Sequence, residues 1–183
     1  MVREMDGQRR TAIVVPIWLP PALEKIRLRE VASARAGAPA HVTLLFPFVP
    51  VASLLGDDID RAGAVVAAVP AFDVWLRRVQ RWDPGGGAPE GVIWLEPEPC
   101  EPFIELTQSL GRAFPEYRPY GGIHDTIVPH LTIASDDRRR LLAVQAEAVR
   151  SLPLRRRVSR AVLIAEGPDG RWRTHRRLPL GAP

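Results

Sequence analysis

The chain has 183 residues, a net charge of +4 and one cysteine, Cys100. That length suits a single domain, here taken as residues 1–183, with a substantial core; the lone cysteine excludes an intramolecular disulfide framework and a zinc-type Cys/His cluster. No apolar run approaches the roughly 20 residues that cross a bilayer, and Met1–Arg10 is polar and charged, so no membrane partner and a cytoplasmic location are expected.

Thr11–Leu19 reads as a strand in which Pro16 favours an edge or a bulge. Pro20 and Pro21 open a helix to about Arg35, spaced by Leu23, Ile26 and Glu30/Val31. Ala40–Phe48 is a second strand, and Asp57–Val69 a helix with acidic residues in its first turn. Phe72–Trp82 and Gly91–Glu96 predict a hairpin about the Gly-rich turn after Asp83, and a division into lobes 1–86 and 87–183 is expected there. Glu101–Phe114 predicts a helix, followed by a Tyr/Pro/Gly loop over 115–122. Val128–Ala134 is a further strand, and Ser135, Asp136 and Asp137 cap a helix to about Arg150. Strands near Leu154–Glu166 and Arg171–Leu180 flank a Gly167–Gly170 turn. The element order of the first half recurs in the second, which predicts an α+β, bilobal fold: two pseudo-duplicated antiparallel sheets facing a central groove, helices outside.

His41-Val42-Thr43 and His130-Leu131-Thr132 stand 89 positions apart, each in an apolar, strand-like run. Residues i and i+2 of a strand share a face, so each copy presents an imidazole beside a hydroxyl. An imidazole takes or gives a proton near neutral pH, and a threonine hydroxyl donates to an anionic oxygen. Two such strands face to face would hold a base, an acid and two hydroxyl donors around one phosphate.

The paired motifs and the element order around them resemble the two-histidine (2H) phosphoesterase superfamily, and within it the LigT-like 2′-5′ RNA ligase branch. The approach Tyr120-Gly121-Gly122 and the turn Asp169-Gly170-Arg171-Trp172 add to the likeness. The resemblance implies that His41 and His130 are the catalytic pair and Thr43 and Thr132 the phosphate-binding hydroxyls, with no metal and no cofactor. It implies opening of 2′,3′-cyclic phosphate ends of RNA or oligonucleotides to 2′-phosphates, with 2′-5′ ligation as the reverse reaction. The roles expected are His130 as base and His41 as acid. Relatives of this branch often carry a basic residue shortly after the second motif; here Ser135 and Asp136 stand there, so the cation facing the phosphate is expected from another arginine.

The alternatives are a cyclic phosphodiesterase acting on a small nucleotide of the ADP-ribose cyclic phosphate type, and a non-catalytic RNA- or nucleotide-binding module. Residues 138–183 carry 12 arginines against 3 acidic residues, which favours an anionic partner. Alternation puts Arg155 and Arg157 on one strand face, a candidate RNA contact. Tyr117 and Tyr120 are candidate nucleobase contacts, and Trp82 a weaker one. Phe46 is expected in the core, and His124 and His175 in solvent.

Overall fold

The computed structural model describes residues 8–83, 91–122, 126–136 and 138–182. Eight strands form two antiparallel four-stranded sheets. The first has the order β2-β1-β7-β8, from β1 (Thr11–Pro16), β2 (His41–Leu45), β7 (Arg160–Glu166) and β8 (Trp172–Pro179). The second has the order β5-β4-β3-β6, from β3 (Phe72–Trp82), β4 (Gly91–Glu98), β5 (Leu131–Asp136) and β6 (Leu154–Val158). This is the expected α+β arrangement of two sheets with helices packed on them.

The sheets do not divide at residue 86. β7 and β8 return to the first sheet, so the lobe boundary expected from the sequence is corrected to two crossings, between β2 and β3 and at Ser159. The single strand predicted over 154–166 breaks at Ser159, its first part pairing with β3 and its second with β1. Leu154 to Val158 alternate in burial while Ala161 to Ile164 are all buried. The first segment suits a sheet edge and the second a strand covered on both faces.

Two of the described helices are exchanged between the halves. α1 (Pro21–Glu30) precedes β2 yet packs on β5, and α4 (Glu101–Ala113) precedes β5 yet packs on β2. α3 (Gly56–Ala67) lies against α4 and β8, and α5 (Arg138–Val149) against β3, β4 and β5. One apolar core therefore runs through both sheets, from Ile13, Val42 and Leu44 through Phe103, Leu106 and Leu110 to Leu131, Ile133 and Leu141. Each such fully buried side chain contributes about 1.5–3 kcal/mol of transfer free energy.

Local chemistry explains the element ends. Pro21 starts α1 with its φ already helical, and Leu23, Ile26, Arg27 and Glu30 form its buried stripe. The helix predicted to Arg35 stops at Val31, which is extended, before the short α2 (Ala32–Arg35). Gly37 follows at φ +96°, where a Cβ would lie 2.9 Å from the Trp172 carbonyl oxygen; glycine alone reaches both that conformation and that approach without strain. Ser135 and Asp136 continue β5, pairing with Val92 and Gly91; Asp137, expected with them to cap α5, lies outside the described residues. Among the described residues no helix is long and apolar enough to cross a membrane.

Candidate active site

His41 opens β2 and His130 stands one residue before β5. β2 and β5 pack against each other, α1 packs on β5, and a cavity of about 100 Å³ is lined by Arg27, Val31, Ser33, His41, Thr43, His130 and Thr132. At about 30 Å³ per water, this is room for roughly three waters, a space for a phosphoryl group and not for a whole nucleoside. The structure thus brings all four motif side chains to one place.

The two imidazoles are held alike. His41 Nδ1 lies 2.6 Å from the carbonyl oxygen of Pro39, and His130 Nδ1 lies 2.8 Å from that of Val128. A carbonyl only accepts, so Nδ1 is the protonated nitrogen in each neutral ring and Nε2 is left to exchange protons. In each case the acceptor is two residues upstream, so the short pre-strand segment that carries the ring also sets its tautomer.

The surroundings of the rings differ. His41 is half-buried, and desolvation drives its pKa down from 6.5 to about 4; the Pro39 bond opposes this, while the positive charges of Arg27 and His130 add to it. His130 is flanked by Trp82 and Trp94, with ring centroids 4.7 and 6.0 Å away, both edge-on. Trp94 pairs with Thr132 across the sheet, and directly opposed residues share a face. On the first sheet Thr43, Val14 and Val162 share a face by the same register, and Phe46 meets Trp172 edge-on at 6.4 Å over it. Phe46 was expected in the core; it is half-buried against a smaller apolar cluster with Val14, Val162 and Trp172, and the irregular register between Ile13 and Val14 turns it to the face that bears Thr43.

Arg27 is the cation that sequence reasoning missed. It is 2% exposed, its Nη2 donates to the Ala38 carbonyl at 2.6 Å, and its Nε and Nη2 fork onto Glu24 at 3.2 Å each. Nη1 makes no hydrogen bond among the described residues, and the residue lines the histidine cavity. The signal was present: position 27 falls on the buried stripe with Leu23, Ile26 and Glu30, where an arginine is rare unless paired.

The other candidates are not brought into this cavity. Tyr117 packs edge-on against Phe48 at 5.8 Å as part of the core margin. Tyr120 belongs to a turn, Pro119–Gly122, that packs on β2, but its side chain lies outside the described residues, as does His124. Arg155 and Arg157 do share a face, with Asp73 between them at 2.8 and 3.8 Å. They stand on β6, at the opposite edge of the second sheet from β5. His175 is exposed, as expected.

Two histidine-threonine pairs, one from each sheet, line one cavity together with a buried guanidinium, groups able to donate hydrogen bonds to an oxyanion and to exchange protons. A family model described as the 2′-5′ RNA ligase superfamily matches residues 14–170. The chain therefore belongs to the 2′-5′ RNA ligase superfamily, a group of two-histidine phosphoesterases and RNA ligase-like enzymes. Similar solved structures include TT0787 of Thermus thermophilus, at a TM-score of 0.58 and 21% identity over 94% of this chain and 98% of that one. E. coli LigT complexed with 3′-AMP gives 0.52 and 19% over 94% and 98%, and Kluyveromyces marxianus Usb1 gives 0.50 and 13% over 96% and 100%. At these identities the likeness is one of fold. No curated protein sequence matches the chain.

Proposed function

We propose that this protein is a phosphoesterase that opens 2′,3′-cyclic phosphate ends of RNA or oligonucleotides, leaving a 2′-phosphate, with His41 and His130 as its acid/base pair. The observation that carries this reading is the convergence of both imidazoles, both threonine hydroxyls and Arg27 on one phosphate-sized cavity. A water attacks phosphorus and the P–O3′ bond breaks. One imidazole Nε2 takes the proton of the water while the other gives a proton to O3′, so the charge on the substrate is unchanged. Thr43, Thr132 and Arg27 Nη1 donate to the non-bridging oxygens, whose negative charge they hold as phosphorus becomes five-coordinate. The same steps, with an RNA 5′-hydroxyl in place of water, would give a 2′-5′ linkage; water in excess favours hydrolysis.

The sequence expectation made His130 the base and His41 the acid. The surroundings favour the reverse. Burial and the positive charge of Arg27 hold the His41 pKa down, to about 4, which favours the neutral state a base needs and leaves His130 as the partner that gives the proton. The test is turnover of short RNAs ending in a 2′,3′-cyclic phosphate, with the terminal phosphate position of the product identified. His41→Ala and His130→Ala are expected to lower the rate by about 10² to 10⁴ each. A 3′-phosphate product, or a histidine variant that keeps near-normal turnover, would overturn the mechanism. Tight binding without turnover would favour a binding module, and a preference for a mononucleotide over the RNA would favour the small-nucleotide alternative.

A further inference from the structure

A second, larger cleft of about 450 Å³ is linked to the histidine cavity through Glu24, which binds Arg27, and Pro39, whose carbonyl accepts from His41. It is lined by Trp18 and Leu19 after β1, by Glu24 of α1, by Pro39 and Ala40, and by residues 156–160 where the chain crosses between the sheets. Glu24 faces this cleft while forking Arg27 into the smaller one, and the carbonyl of Pro39, which also lines the cleft, orients His41. Its volume falls in the range of small-ligand sites, about 300–1,000 Å³.

The lining is aromatic and cationic. Trp18 is 67% exposed. The Arg156 guanidinium lies over its ring, 4.8 Å from the centroid, and Arg156 Nε donates to the Trp18 carbonyl at 2.8 Å. That fixes one face of the indole against a cation. Arg156 and Arg160 form no ion pair among the described residues, and Arg157 has only the distant, shared Asp73. The one carboxylate in the lining, Glu24, is engaged by Arg27. Arg156 also donates Nη1 to the Arg155 carbonyl at 2.7 Å, which leaves Nη2; an exposed indole beside Arg156 and Arg160, which no described carboxylate engages, matches the surfaces on which single strands stack a base and seat a phosphate.

We propose that this cleft binds single-stranded RNA: a nucleobase stacks on the open face of Trp18 and a backbone phosphate is held by Arg156 and Arg160, next to the end that enters the histidine cavity. The inference rests on the phosphoesterase reading for its substrate but not for its binding test. It also moves the RNA contact expected of Arg155 and Arg157 to Arg156 and Arg160, since Asp73 occupies the former pair.

Trp18→Ala and Arg160→Glu are compared with the wild-type chain in two assays. In turnover, KM for a short RNA ending in a 2′,3′-cyclic phosphate is expected to rise about 5- to 160-fold for Trp18→Ala, from 1–3 kcal/mol per stacked base. kcat/KM for a mononucleotide 2′,3′-cyclic phosphate should be unchanged, which also shows that the variant is folded. In fluorescence anisotropy with the same RNA ending in a plain 3′-phosphate, both variants should bind more weakly. For Arg160→Glu the slope of log K against log salt should flatten by at least about 0.7, the value of one lost phosphate contact. Equal effects on the RNA and the mononucleotide, or unchanged RNA binding in both variants, would overturn the proposal. If the wild-type chain turns over neither substrate, the phosphoesterase reading fails, while the anisotropy still decides the cleft.

Discussion

Acidification should cost this protein stability through one imidazole, in a pH window that separates it from the carboxylates. Folding lowers the His41 pKa from 6.5 to about 4. Between those values the unfolded chain holds a proton that the folded chain lacks, so stability is complete above about pH 6.5 and falls as the pH drops toward 4. At 1.36 kcal/mol for each tenfold in proton affinity, the full effect is at most about 3 kcal/mol, of which about 2 kcal/mol is lost by pH 5. Asp73, Glu166 and Asp169 have lowered pKa values through their arginine partners, Asp169 through Arg173 foremost. Their contributions are present above the ordinary carboxylate range, near pH 4, and vanish below it, outside the upper part of the His41 window. The assay is urea unfolding at pH 7, 6 and 5 of the wild type and of His41→Gln, which keeps a polar side chain but does not titrate. The stability difference between the two should shift by about 2 kcal/mol in favour of the variant on going from pH 7 to pH 5. A parallel pH dependence would refute the reasoning, because it would mean that His41 titrates as in water. The ground for assigning it, and not His130, as the base would then be lost.

Arg27→Met should weaken binding of inorganic phosphate about 10- to 100-fold, from the 1.5–3 kcal/mol of a charge-assisted hydrogen bond. The same change should raise the His41 pKa, since a positive neighbour is removed; calorimetry reads the first and an NMR titration the second, and a phosphate affinity equal to wild type would remove Arg27 from the site. Gly37→Ala should cost about 1–3 kcal/mol, because alanine at φ +96° is strained and its Cβ would sit 2.9 Å from the Trp172 carbonyl oxygen. Thermal melting measures this, and an unchanged melting temperature would show that the segment leading to His41 is not pinned against β8.

The histidine-threonine pairs were legible because their chemistry is local. A two-residue spacing on a strand sets the face, and two copies in one chain are hard to explain by packing. The duplicated element order was legible for a similar reason, since turns and apolar periods punctuate it. Strand partnership was not. Residues 154–166 carry one continuous strand signal, yet Ser159 hands the chain from one sheet to the other, a decision made by which edge is vacant and not by local propensity. The side on which Phe46 packs was not legible, because it depends on an irregular stretch of β1–β2 pairing. Arg27 was overlooked because it lies outside both motifs, on a helix read for its apolar spacing alone. Ser135 and Asp136 resemble a helix cap in sequence and form strand pairs in the fold, where β4 offers them backbone partners.

The exchange of α1 and α4 explains why the site needs both halves. β2 presents His41 and Thr43 on one face and buries Val42 and Leu44 on the other, and the cover for that buried face includes α4, from the second half. β5 presents Thr132 and buries Leu131 and Ile133, and its cover includes α1, from the first. Neither histidine strand can be buried by its own preceding helix, so the core that stabilises one motif is completed only when the other half has docked. The docking that closes the core also carries Arg27 across, since it rides on the inner stripe of α1 beside Leu23 and Ile26. Folding energy and site assembly are therefore drawn from the same contacts. A substitution that loosens α1 on β5 should displace the cation and shift the spacing of the imidazoles together, without touching either motif.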